Sequence, residues 1–212
     1  MSKLIATFFV MVVVGSSFWF YPMLPEQMPN EFAYYGNPSS YASKEIVLIS
    51  LVASVIVVYI TMIILSRVMQ SKSIYKRFQK SMNDILMVVI LIVSASYAGV
   101  IANGLGYEVN MLLLAPLGVG FAFIVIGNTI QRFKADANTG IPLSDGHSDL
   151  WNKIRRFFSR ALFVGGLLLI PCVLFPIKIM FFAFLIILGM TVIVILLGSY
   201  IIYKKQYITP SN

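Results

Sequence analysis

Six long apolar runs constrain how this chain can fold. They cover residues 4–21, 46–66, 85–102, 110–130, 157–175 and 179–203. Each has the length that crosses a hydrocarbon core of about 30 Å at about 1.5 Å per helical residue. None carries Asp, Glu, Lys, Arg or His between its flanks except Arg160, in the first turn of the fifth, where a long side chain can reach the interface. Composition agrees. Of 212 residues 59% are hydrophobic and 11% charged, and a soluble fold would leave large apolar surfaces uncovered. The expected class is therefore an all-α integral membrane protein with six transmembrane helices, and the lipid bilayer is its first partner.

The first run begins after Lys3 and has small residues at Gly15–Ser17, as a signal peptide would. It continues into Phe18-Trp19-Phe20-Tyr21, which suits an interfacial aromatic belt, so it is read as an uncleaved anchor. With six spans both termini share one side. That side holds Lys3, Arg67, Lys72, Lys76, Arg77, Lys80, Arg132, Lys134, Lys153, Arg155, Arg156, Arg160, Lys204 and Lys205, and the other side only Lys44 and Lys178. By the positive-inside rule both termini of this multi-pass protein are expected in the cytoplasm. The net charge of +8 then belongs to loops flanking spans, and direct nucleic-acid binding is not expected.

Outside, the segment 22–45 contains Pro22, Pro25, Pro29 and Pro38, which disfavour a regular helix, and turn chemistry at Gly36-Asn37-Pro38. It reads either as a proline-stiffened connector whose aromatics rest on headgroups or as a rigid cap presenting Phe32, Tyr34, Tyr35 and Tyr41 to a partner. Residues 103–110 form a short outer turn with Tyr107 and Glu108 at the membrane edge. On α-helical spacing, Ser94, Ala98 and Ala102 form one small-residue stripe, and Ala95, Gly99 and Asn103 another. Gly118, Gly120 and Gly127 do similar work in the fourth span, where close backbone approach is expected.

Inside, residues 127–160 form the longest polar passage. Asn128 lies where its amide could bond a neighbouring helix or the next loop. From Ser148, a plausible N-cap, Leu150, Trp151, Ile154, Phe157 and Phe158 fall on one side at helical spacing. This predicts a short interfacial helix within the cytoplasmic loop 131–156, ahead of the fifth span.

The chain has one cysteine, Cys172, and one histidine, His147. It has no nucleophile–base pair, no metal constellation and no phosphate-binding glycine loop, and no ionisable residue at a span centre. The expectation is no enzyme, no cofactor and no metal. A transporter or lipid-handling protein with a neutral pathway, lined by Asn103, Asn110 and Asn128, is the alternative.

Two stretches together carry a family likeness. The inner one has Gly127-Asn128, Asn138, Gly140-Ile141-Pro142, then Trp151 and Arg156-Phe157. The outer one has Leu24-Pro25, Pro29, Gly36 and Ser43-Lys44, with Gly104–Asn110 and Gly118-Val119-Gly120 beyond it. This combination resembles the SdpI family of bacterial six-span membrane proteins. The resemblance implies immunity to a secreted toxin peptide. It also implies signal transduction in which a cytoplasmic transcriptional repressor is held at the membrane. On that reading Glu31, Phe32, Tyr34, Tyr35, Tyr107 and Glu108 would meet the toxin. Gly127, Asn128, Asn138, Gly140, Pro142, Trp151 and Arg156 would hold the cytoplasmic side together or pass the signal on. Two departures stand out. Ile141 runs directly into Pro142-Leu143, without the arginine, threonine and tryptophan the family pattern has there. Glu31 occupies a position where many relatives have histidine, so no metal or proton role carries over to it.

Overall fold

The computed structural model describes residues 2–33, 36–71, 79–132 and 145–207. Six helices follow in order: α1 (Ser2–Phe20), α2 (Lys44–Ser71), α3 (Gln79–Gly104), α4 (Leu114–Ile130), α5 (Asp145–Leu169) and α6 (Ile177–Tyr207). All six stretches are long and apolar enough to cross a membrane. In hydrocarbon each backbone N–H and C=O must find its partner within the segment, which these runs can do only as helices. The chain is an all-α, multi-pass membrane protein. Its large exposed side chains, such as Leu4, Phe8, Phe18 and Trp19 on α1, are what lipid contact requires. The helices differ in enclosure. In the apolar window of α3, 39% of residues are interior, against 11% in α1 and in α6, so those two give most of their surface to lipid.

Two compact units make up the chain, Met1–Arg67 with Leu86–Gly118, and Val68–Ile85 with Val119–Asn212. In the first, Val13, Val47, Leu48, Val55, Tyr97, Val100 and Ile101 pack with Leu24 and Met28 from the loop after α1. Ala6, Met62 and Ile90 form a second cluster. Hydroxyls link the helices between these layers. The Ser16 and Ser17 oxygens lie 2.9 and 3.0 Å from the Tyr97 hydroxyl, and Thr7 lies 2.7 Å from that of Tyr59. Such bonds contribute about 0.6 kcal/mol each in a membrane, so they orient the helices more than they hold them.

The proline-rich segment 22–45 is not a plain connector. Gln27–Phe32 (β1) and Pro38–Ser43 (β2) pair as an antiparallel hairpin, with Gln27 opposite Ser43 and Phe32 opposite Pro38. The register shifts on both sides of Glu31. A two-stranded ribbon has only edges, so Pro29 and Pro38 can sit where their missing N–H is not needed. That same pair of prolines hid the strands from a reading based on alternation.

In the second unit α5 runs unbroken from Asp145. The separate interfacial helix expected ahead of the fifth span is its amino-terminal part, because nothing between Ser148 and Phe157 breaks a helix. At 25 residues α5 is about 38 Å long, more than a hydrocarbon core, which leaves its first turns room to project into the interface. α5 and α6 pack on each other through small residues. A Cβ on Gly165 would meet Thr191, and one on Gly198 would meet the Phe157 ring.

Candidate functional site

On the hairpin side, the hairpin sits on the turn that joins α3 to α4. Asn103, at the end of α3, donates its amide N–H groups to the Gly99 and Val109 carbonyls at 3.0 and 2.9 Å. Asn110 accepts from the Leu112 N–H at 3.0 Å and starts the one-turn helix Met111–Leu113. The turn so fixed receives the hairpin at two glycines whose Cβ positions leave little room. A Cβ on Gly104 would lie 2.8 Å from the Met28 methyl and 3.0 Å from a Leu24 methyl. A Cβ on Gly36 would run into the Asn110 side chain, and Gly36 has φ of +82° besides.

Of the predicted outer residues, Glu31, Tyr107 and Glu108 are exposed, and Phe32 is half-buried against the core beneath the hairpin. Tyr34 and Tyr35 lie outside the described residues. Tyr107 also stands at the mouth of an apolar cleft of about 590 Å³, walled by Phe9, Val13, Phe20, Leu91 and Ala98. Ser94 lines it, and its buried hydroxyl has no hydrogen-bond partner among the described residues. At the base of the hairpin, Lys44 places its ammonium 4.6 Å above the Tyr21 ring, and the Tyr21 hydroxyl donates to Glu45 Oε1 at 3.1 Å.

In the second unit, Gly127 of α4 lies against α5. A Cβ there would sit 2.8 Å from the Ser159 carbonyl oxygen and 2.9 Å from the Phe163 nitrogen. The fully buried Ser159 hydroxyl donates to the Gly127 carbonyl at 2.6 Å. One heptad away Gly120 meets Gly166 in the same way, its Cβ position 3.0 Å from the Gly166 carbonyl oxygen. Continued in the other direction, this antiparallel register brings Arg155 to the carboxyl end of α4. There its guanidinium donates to the Gln131 and Ile130 carbonyls. Four orphan carbonyls and the negative end of the helix dipole make that a natural place for a buried cation. Nearby Arg132 pairs with Asp84 at 3.4 Å.

Sequence reasoning pointed to Arg156. The structure leaves Arg156 exposed, bonded among the described residues only to the Asn152 carbonyl of its own helix, and buries Arg155. Trp151 is 41% exposed, and Asn128 is exposed rather than turned to a neighbour. Asn138, Gly140 and Pro142 lie outside the described residues. Ser159 and Arg155 could have been found only by pairing α4 with α5 in this register. The hairpin's seat was more visible, since Leu24, Gly36, Gly104 and Asn110 are all among the residues that carry the family likeness. Among the described residues no group of three or more His, Cys, Asp and Glu could hold a metal.

Opening the hairpin's seat has a measurable signature. Gly36→Ala forces both a left-handed backbone and a collision with Asn110, at a cost of about 2–3 kcal/mol. Gly106→Ala, at φ of +91° with nothing within 4 Å, meets only the backbone term of about 1–2 kcal/mol. In hydrogen exchange the hairpin amides of Gly36→Ala should open at least tenfold faster than those of the parent. Parent-like exchange in that variant would show that the hairpin does not depend on this contact.

Compared with known proteins, the chain is similar to the immunity protein SdpI of Bacillus subtilis (strain 168). The two are 27% identical over 188 residues, which is 87% of this chain and 87% of that protein. No family model and no solved structure matches the chain. Likeness at that coverage takes in most of the spans and the loops between them, beyond the short stretches that first carried it, and supports membership of the SdpI family.

Proposed function

We propose that the chain is an immunity protein of the cytoplasmic membrane, protecting the cell that makes it from a secreted toxin peptide. The observation that carries this reading is the likeness to an immunity protein over 87% of both chains. The geometry supplies a place for the encounter. The hairpin and the α3–α4 turn form one braced surface that exposes Glu31, Tyr107 and Glu108, with an apolar cleft opening beside Tyr107. Phe32, Tyr34 and Tyr35 complete the proposed toxin contact. The distribution of Lys and Arg puts this surface outside and both termini in the cytoplasm.

On the cytoplasmic side, Gly127, Asn128, Asn138, Gly140, Pro142, Trp151 and Arg156 form the proposed relay to a captured transcriptional repressor. Toxin binding shifts this side only if it favours one arrangement of the helices over another. Nothing in the described residues favours the neutral-pathway alternative, since Asn103 and Asn110 bond their local backbone and Asn128 is exposed.

Expression in toxin-sensitive bacteria tests the reading. Cells carrying the chain should tolerate at least tenfold more of a related secreted toxin peptide than cells without it. Tyr107→Ala with Glu108→Ala should remove most of that margin, and Trp151→Ala should keep it while abolishing any toxin-induced capture of a repressor at the membrane. Unchanged killing by every such peptide would sink the proposal.

A further inference from the structure

Between α1 and α2, on the hairpin side, runs a second apolar cleft of about 600 Å³. Val14, Phe18, Leu48, Val52 and Ile56 wall it, and Tyr21 and Glu45 stand at its head. Phe18 and Ile49 on its rim are 79% and 68% exposed, so it opens sideways onto the lipid-facing surface.

Three features say what fits there. The first is length. From Glu45 to Ile56 the cleft follows about 17 Å of helix, close to the depth of one hydrocarbon leaflet, about 15 Å. The second is width. A peptide helix is about 10 Å across, as wide as the helices that wall the cleft, whereas a single aliphatic chain is roughly half that width. The third is charge at the head. Lys44 rests one face of its ammonium on the Tyr21 ring and forms no salt bridge among the described residues. A lysine has three donors and an ionised carboxylate about four acceptor sites, so Lys44 and Glu45 both keep capacity for an outside group.

We propose that this cleft is a phospholipid site, taking one acyl chain of the leaflet on the hairpin side with the phosphate at Lys44. Glu45, beside it, receives the amine of an ethanolamine headgroup. The site is independent of the toxin reading and stands or falls separately from it.

Native mass spectrometry of the full chain in mild detergent tests it. The probes are dioleoyl phosphatidylethanolamine, dioleoyl phosphatidylglycerol and dioleoylglycerol, which lacks the phosphate. Both phospholipids should be retained at least tenfold better than dioleoylglycerol. Lys44→Gln should erase that margin, and Glu45→Gln should lower retention of the ethanolamine lipid alone. Ala53→Phe, placed on an exposed position of the wall, should reduce all three to background. Gly189→Phe, exposed on α6 with nothing within 4 Å of its Cβ position, should change nothing. Retention of dioleoylglycerol equal to that of the phospholipids overturns the proposal, as does phospholipid retention that survives Lys44→Gln. If Ala53→Phe fails to fold, the Lys44→Gln comparison alone decides. Displacement of the lipid by a 20-residue apolar helical peptide would reassign the cleft to a peptide and also overturn it.

Discussion

Gly127→Leu will separate α4 from α5 and leave little folded protein. The added Cβ falls 2.8–2.9 Å from backbone atoms of Ser159 and Phe163, which cannot turn aside as a side-chain tip could. Overpacking against yielding neighbours costs about 1–3 kcal/mol. Here the helices themselves must part. With them go the Ser159–Gly127 hydrogen bond and the close backbone packing that stands in for the hydrophobic effect inside a bilayer. The loss should reach about 3 kcal/mol or more, roughly a hundredfold in the folded-to-unfolded ratio. Gly166→Leu should behave alike, since its Cβ position lies 2.9 Å from the Ile124 nitrogen. Gly189→Leu on α6 is the control. Nothing lies within 4 Å of its Cβ position, and the change should stay within about 0.5 kcal/mol. Denaturant titration in micelles, with size-exclusion profiles, distinguishes them. Equal stability of Gly127→Leu and Gly189→Leu would mean that the α4–α5 contact is wrongly placed.

The second large effect separates two neighbouring arginines. Arg155 is buried, and its guanidinium donates to the last carbonyls of α4. Replacing it with Met keeps much of the side-chain volume and removes the charged donors. Hydrogen bonds from a charged group contribute about 1.5–3 kcal/mol, and a cation at a partly buried helix carboxyl end up to about 2 kcal/mol. These terms overlap, so a net loss of about 2–3 kcal/mol is expected for Arg155→Met. Arg156→Met removes only an exposed bond to the same helix and should change stability by less than about 0.5 kcal/mol. Because Arg155 is shielded from solvent, its effect should persist at high salt. Thermal unfolding at low and high ionic strength, with hydrogen exchange over residues 128–132, reads both variants. An Arg156→Met loss as large as that of Arg155→Met would contradict the register assigned to α5.

The six spans could be read directly because a charge-free run of about 20 residues has only one structure that satisfies its own backbone in hydrocarbon. The small residues of α4 were visible for the same kind of reason: a glycine on a spanning helix marks a place where another backbone can come close. Which backbone was not visible. Gly120 and Gly127 found Gly166 and Ser159, while on α3 the stripe of Ser94, Ala98 and Ala102 leaves Ala98 exposed. The hairpin escaped notice because its strands carry prolines and shift register around Glu31, so the alternation that marks a strand is broken.

The sequence alone determined that this chain has six helices able to cross a membrane, with its basic residues gathered in the loops on one side, since charge and unpaired backbone are costly in lipid. Only the tertiary structure decided that the proline-rich segment folds back onto the α3–α4 turn, and that Arg155 rather than Arg156 closes the end of α4. Each depends on the register between segments distant in the chain. Two adjacent arginines are equivalent until a partner helix fixes which one faces inward.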